Sequence, residues 1–194
     1  MEKGILLDIL YQVLASPSKA LEEISKRKRL GWAMITAVFI AVVLSFILLP
    51  NPPELAEEIF HIEKGSFNPA LAIFLCVIIF LAALFIEGVI FHLIAVLLGG
   101  RGNYLGIVCG LCFACFPFIF FTPLMLFRAL LGASGIILYH IGSLLLFLWV
   151  LVLSIIAIRQ NYHFSMGRAI TIYFIPGIIL IIIPLLVVIV FIAI

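Results

Sequence analysis

The chain is 194 residues long, 66% hydrophobic and 10% charged, with a formal net charge of +2 and a mean hydropathy of +1.43. So few charges cannot cover the surface of a water-soluble domain of this size, which excludes that class and leaves a chain solvated by lipid. The near-neutral balance also argues against nucleic acid as a partner.

The first thirty residues read as a basic, amphipathic surface segment. Ile5, Ile9 and Val13 repeat at helical spacing with Leu6, Leu10 and Leu14 beside them, while Asp8 and Gln12 fall toward the other side. Ser16 before Pro17 signals a second helix start, and Ala20, Leu21 and Ile24 form another apolar stripe. Lys26, Arg27, Lys28 and Arg29 follow directly. The expectation is two short helices on the inner leaflet with this basic cluster against anionic headgroups, each charge contributing about 1 kcal/mol near the surface. No cleavable leader is expected, because Asp8 and Gln12 interrupt the early apolar run.

Residues 31–194 then read as one transmembrane domain. A helix needs about twenty apolar residues to cross about 30 Å of hydrocarbon. Five stretches qualify, at about 31–49, 69–98, 104–127, 135–158 and 169–194. They are continuously apolar, which favours helices over the alternating strands of a barrel. The predicted fold is therefore all-α: a polytopic membrane protein, a bundle of five transmembrane helices with short interfacial helices. Between the first two spans, Pro50, Pro52 and Pro53 stop a helix, and Leu55, Ile59 and Ile62 suggest a further surface helix with Glu54, Glu57, Glu58 and Glu63 on its other faces.

Lysine and arginine set the expected orientation. Lys3, Lys19, Lys26 to Arg29, Arg101, Arg159 and Arg168 fall on the side of the N-terminus, against Lys64 and Arg128 on the other. The N-terminus is therefore expected in the cytoplasm and the C-terminus outside the cell membrane. Small residues should hold the helices together, since lipid offers no hydrophobic incentive for association. Gly106, Gly110 and Ala114 share a face of the third span, Gly88 and the Ala95–Gly99 pair serve the second, and Gly135, Gly142 and Ser143 mark the fourth. The third span is expected to be central, and Pro117, Pro123, Pro176 and Pro184 to kink the third and fifth.

Chemistry is sparse. Glu87 is a carboxylate within a span, at about mid-membrane, where translocon scales put an acidic residue at about +2.5 to +3.5 kcal/mol. It reads either as a group handling protons or cations in a transport path or as an interhelical polar clasp. His92 lies five residues on, about 140° around the helix, and depth counting makes the indole of Trp149 the preferred partner for Glu87. Cys109, Cys112 and Cys115 have a spacing that invites a metal, but on one helix they spread over an arc of about 120° and read as small apolar residues. The Gly99–Gly100–Arg101–Gly102 run reads as a tight turn rather than a phosphate loop. No nucleophile–base set, cofactor fingerprint or metal motif is read, so no enzyme activity, cofactor or metal is expected.

That turn also carries a resemblance. The run from His92 through Gly99, Gly100, Arg101, Gly102 and Asn103 to Tyr104, continuing to Ala114-Cys-Phe-Pro117, resembles the Yip1 domain, as does the proline segment from Leu14 to Ile24. In that family a second span ends in a glycine-glycine-basic turn and the next span carries a proline. The resemblance implies five spans over nearly the whole chain and a role in membrane organisation or traffic. Eukaryotic relatives, linked to Rab GTPases, carry long cytosolic N-terminal regions; with about thirty residues before its first span, this chain looks like the short prokaryotic-type members of the cell membrane. No catalytic residue follows from the resemblance. The function read here is non-enzymatic organisation of lipids or partner proteins, with a membrane-protein partner or a homo-oligomer in view. The alternative is a small transporter or channel component using Glu87.

Overall fold

The structure is a computed structural model that describes residues 6–27, 30–48 and 68–193. Two amphipathic helices open it, α1 (Leu6–Ala15) and α2 (Pro17–Arg27), followed by the apolar α3 (Leu30–Leu48). Then come α4 (Pro69–Leu97), α5 (Tyr104–Ala114), a 3-10 turn (Phe116–Phe120), α6 (Phe121–Leu130), α7 (Gly132–Tyr162) and α8 (Met166–Ala193). The described residues contain no strand. Four stretches are long and apolar enough to cross a membrane: Pro69–Leu97, Tyr104–Leu130, Gly132–Tyr162 and Met166–Leu186. The helix Leu30–Leu48 is equally apolar but shorter. The surface helix expected around Leu55–Ile62 lies outside the described residues.

The centre of the bundle is α5. Every residue from Gly106 to Ala114 is buried, and the helix packs against α2, α3, α4 and α7. Within the apolar windows, 67% of Tyr104–Leu130 is buried, against 11% of α4 and 12% of α8. The outer helices thus turn most of their surface to lipid, while α5 turns almost none. The small-residue face is what admits this packing. A Cβ on Gly110 would stand 2.9 Å from Ala157 Cβ, and one on Gly88 would stand 2.7 Å from Val108 Cγ2.

The prolines act in different ways. At Pro117 the chain leaves α-geometry for the 3-10 turn, with Phe118 N–H donating to the Cys115 carbonyl at 3.0 Å. Pro123 falls in the first turn of α6, where its missing N–H has no helical partner to lose. Pro176 and Pro184 lie inside α8, which continues through both.

The short helix α2 does not spend its apolar stripe on lipid, as the sequence suggests it should. Ala20, Leu21 and Ile24 are buried at 3%, 1% and 4% exposure, and the helix packs on α5 and α7. Its stripe matches an apolar surface already provided by the bundle, so the protein itself covers it.

Candidate functional site

Two features stand out from the apolar background: a polar lock at one end of the bundle and a lone carboxyl half-way along it. The lock begins with a capped turn. Helix α4 closes on Gly99, whose φ of +82° lies in the left-handed region that only glycine enters without strain. Gly100 N–H donates to the Ala95 carbonyl at 2.8 Å and Gly99 N–H to the Val96 carbonyl at 2.9 Å, the paired bonds of a Schellman cap. Gly100 also needs its missing side chain, because a Cβ there would meet Phe164 at 2.8 Å and Tyr162 at 3.0 Å. A Cβ on Gly102 would run into the Asn161 carbonyl oxygen. The glycines of the turn are thus set by a close approach of the α7 end.

Asn103 caps α5, its Oδ1 accepting from Gly106 N–H at 2.7 Å. Across the gap, Asn161 Nδ2 donates to the Asn103 carbonyl at 2.9 Å. Asn161 is buried, and its Oδ1 has no hydrogen-bond partner among the described residues. That oxygen occupies the place a Cβ of residue 106 would take, a close approach that only glycine permits. Above this pair, His92 Nδ1 and the Tyr162 hydroxyl lie 2.7 Å apart in a hydrogen bond. The His92 ring also meets Tyr104 edge-on at 6.0 Å, and the Tyr104 hydroxyl donates to the Phe85 carbonyl at 3.2 Å. Arg101 is exposed at the rim.

Helix α2 completes this end. Its Glu22 is within electrostatic reach of His163, the residue that ends α7 in the left-handed conformation at φ 56°. Lys26 Nζ donates to Glu22 Oε1 at 2.6 Å, and this ammonium holds the Glu22 carboxyl below its ordinary value. Lys26 is exposed, and Arg27 closes the helix; Lys28 and Arg29 lie outside the described residues.

Glu87 sits ten residues before the end of α4, about 15 Å along the axis of a helix long and apolar enough to cross a membrane. It is half-buried in a recess of about 590 Å3 between α4 and α8, lined by Ala83, Ile90, Phe91, Tyr173, Phe174 and Gly177 among others. Tyr173 brings a phenol to the same recess. No hydrogen bond to the Glu87 carboxyl is formed among the described residues, Trp149 included. Trp149 is 43% exposed on α7 and is not part of the recess. Helix α4 packs mainly on α3, α5 and α8 and meets α7 through His92 and Tyr162 at the lock.

Cys109 and Cys112 on α5 and Cys115 just past its end are buried, and no group of three or more metal-ligating side chains gathers among the described residues. What sequence reading missed is Asn161 and Tyr162. The predicted fourth span stops at 158, whereas α7 runs to Tyr162 and carries both into the lock. Their one signal is a buried amide beside a glycine turn, visible only once the two ends meet.

A family model, that of the Yip1 domain, matches residues 11–189. The chain belongs to the Yip1 domain family. The Yip1 match takes in the second half of α1 and most of α8, with the Gly99–Gly102 turn, Pro117, Asn161 and Glu87 all inside it. This Yip1-family chain is an all-helical membrane protein, its apolar helices turned to lipid. Neither the curated proteins nor the solved structures give a match.

Proposed function

We propose that this Yip1-family protein is a non-enzymatic organiser of the cell membrane, gathering anionic lipids and a membrane-protein partner or a second copy at its cytoplasmic face. The bundle has five spans in this reading, with α3 as the first, the N-terminus inside and the C-terminus outside. The observation that carries it is the seating of α2. With Ala20, Leu21 and Ile24 buried on α5 and α7, the polar side of α2, with Lys19 and Lys26 exposed, is held at a fixed place beside the lock. A rigid basic platform at headgroup level attracts anionic lipid without spending apolar surface to do so. The Gly99–Gly102 turn, Pro117 and the lock keep that platform registered to the bundle.

The test is lipid retention. Purified protein is reconstituted with mixed phosphatidylglycerol and phosphatidylcholine, and the lipids that stay bound are weighed by native mass spectrometry. Neutralising Lys26, Arg27, Lys28 and Arg29 to glutamine should lower retained phosphatidylglycerol by well over tenfold, since four charges at about 1 kcal/mol each are lost. Equal retention in both proteins contradicts the platform reading.

A further inference from the structure

Glu87 lies in a recess that the lock and the platform do not use. Half-way through the membrane, a carboxyl is stable only against a partner: another ionisable group, a hydrogen-bond donor or water. Among the described residues neither a hydrogen bond nor an ion pair reaches it. Around it stand three aromatic rings. Phe91 and Tyr173 stack at 5.6 Å between centroids, and Phe174 meets Tyr173 edge-on at 5.4 Å. The Tyr173 hydroxyl is likewise without a hydrogen bond among the described residues. Pro176 has no N–H to give to the carbonyl of Ile172 four residues back. The recess therefore offers a carboxyl, a phenol and aromatic faces, and it asks for a donor, preferably a cation.

We propose that this recess binds a membrane-dissolved amphiphilic amine, its ammonium on the Glu87 carboxyl and its hydrocarbon body against Phe91, Tyr173 and Phe174. Charge complementarity selects the head, and the aromatic rings add cation–π attraction that strengthens where water is scarce. Depth selects the class. The amino headgroup of a bilayer phospholipid stays at the interface, about 15 Å away, so the occupant is a free lipophilic amine that enters sideways from the acyl chains. Its volume suits the space, since ligand sites run from roughly 300 to 1,000 Å3 and this one is about 590 Å3. The outer faces of α4 and α8, turned to lipid, leave the sideways entry open.

The experiment uses the full chain in phosphatidylcholine nanodiscs with radiolabelled dodecylamine as the probe. Saturable binding is expected, displaced by excess unlabelled dodecylamine but not by dodecanol, which has the same tail and no charge. Glu87→Gln should weaken it roughly tenfold, the scale of one desolvated cation contact. Gly177→Leu offers a second route, because nothing lies within 4 Å of a Cβ at that position and the added side chain fills the recess while leaving the carboxyl in place. Binding should fall there as well, with both variants eluting as wild type in size-exclusion chromatography. Absence of saturable binding to wild type, equal binding by Glu87→Gln, or equal displacement by dodecanol overturns the proposal. So does a stable dimer in which a second copy covers Glu87 and shuts the amine out.

Discussion

At the scale of single residues, the lock is a set of contacts that tolerate little added volume. Gly106 faces the Asn161 side-chain oxygen so closely that Gly106→Ala must push the two helices apart or turn the amide out of its bond to Asn103. The expected loss is about 1–3 kcal/mol, the usual cost of overpacking, read as a lower melting midpoint in detergent. Tyr162→Phe removes only the hydroxyl bonded to His92 and should cost about 0.6 kcal/mol, the average for a polar contact between membrane helices. Glu22 gives a pH signature at the surface. Its carboxyl is held low by Lys26, so the pair's contribution is complete above the carboxyl's unfolded value and fades as pH falls through the lower folded one. An NMR titration should show the Glu22 midpoint rise in Lys26→Met; an unmoved midpoint would mean that the pair does not form in lipid. Of these residues, the glycine turn was legible because glycine-glycine after an apolar run is a stop signal with a known geometry. Asn161 was not, because a polar residue past an arginine reads as loop, and its burial depends on a turn nearly sixty residues earlier in the chain.

At the scale of elements, hydropathy marks the helices well and their ends poorly. The predicted spans at 69–98 and 104–127 begin where α4 and α5 begin, each behind an asparagine that caps it. The fourth begins and ends within α7, whose polar last turn, Arg159 to Tyr162, is covered by protein at the lock in part and so can stay helical. The central place of the third span was legible from Gly106, Gly110 and Ala114, since small residues at every fourth position are what permit close approach. The surroundings of Glu87 were not, because depth along a helix says nothing about which neighbour faces a side chain: residues of α8 line its recess and Trp149 does not. The same limit explains α2: an amphipathic stripe shows that something apolar covers it, without saying whether lipid or protein does. Here protein does. Leu21→Lys should therefore unseat α2 from α5 and α7 and speed limited tryptic cleavage at Lys19 and Lys26, while a helix seated only on lipid would leave that cleavage unchanged.

At the scale of the whole molecule, the polar groups divide into two places with different partners. The lock, the docked α2 and the turn at Gly99–Gly102 share one end of the bundle, and Glu87 lies among aliphatic and aromatic side chains between α4 and α8, with Tyr173 beside it. The proposed orientation follows the same division. With the basic residues inside, cysteines placed at Arg101 and Arg159 should react with an impermeant maleimide only after the membrane is opened, and one at Arg128 should react in intact cells. Labelling in the reverse pattern would invert the topology and remove the platform from the cytoplasmic leaflet. The central claim is that the molecule organises its membrane and does not conduct through it, and proton and cation flux in proteoliposomes tests that most directly. The account predicts flux at the level of empty liposomes for wild type and for Glu87→Gln alike. Flux in the wild type that Glu87→Gln abolishes, with the variant still folded, would contradict it and make Glu87 part of a transport path.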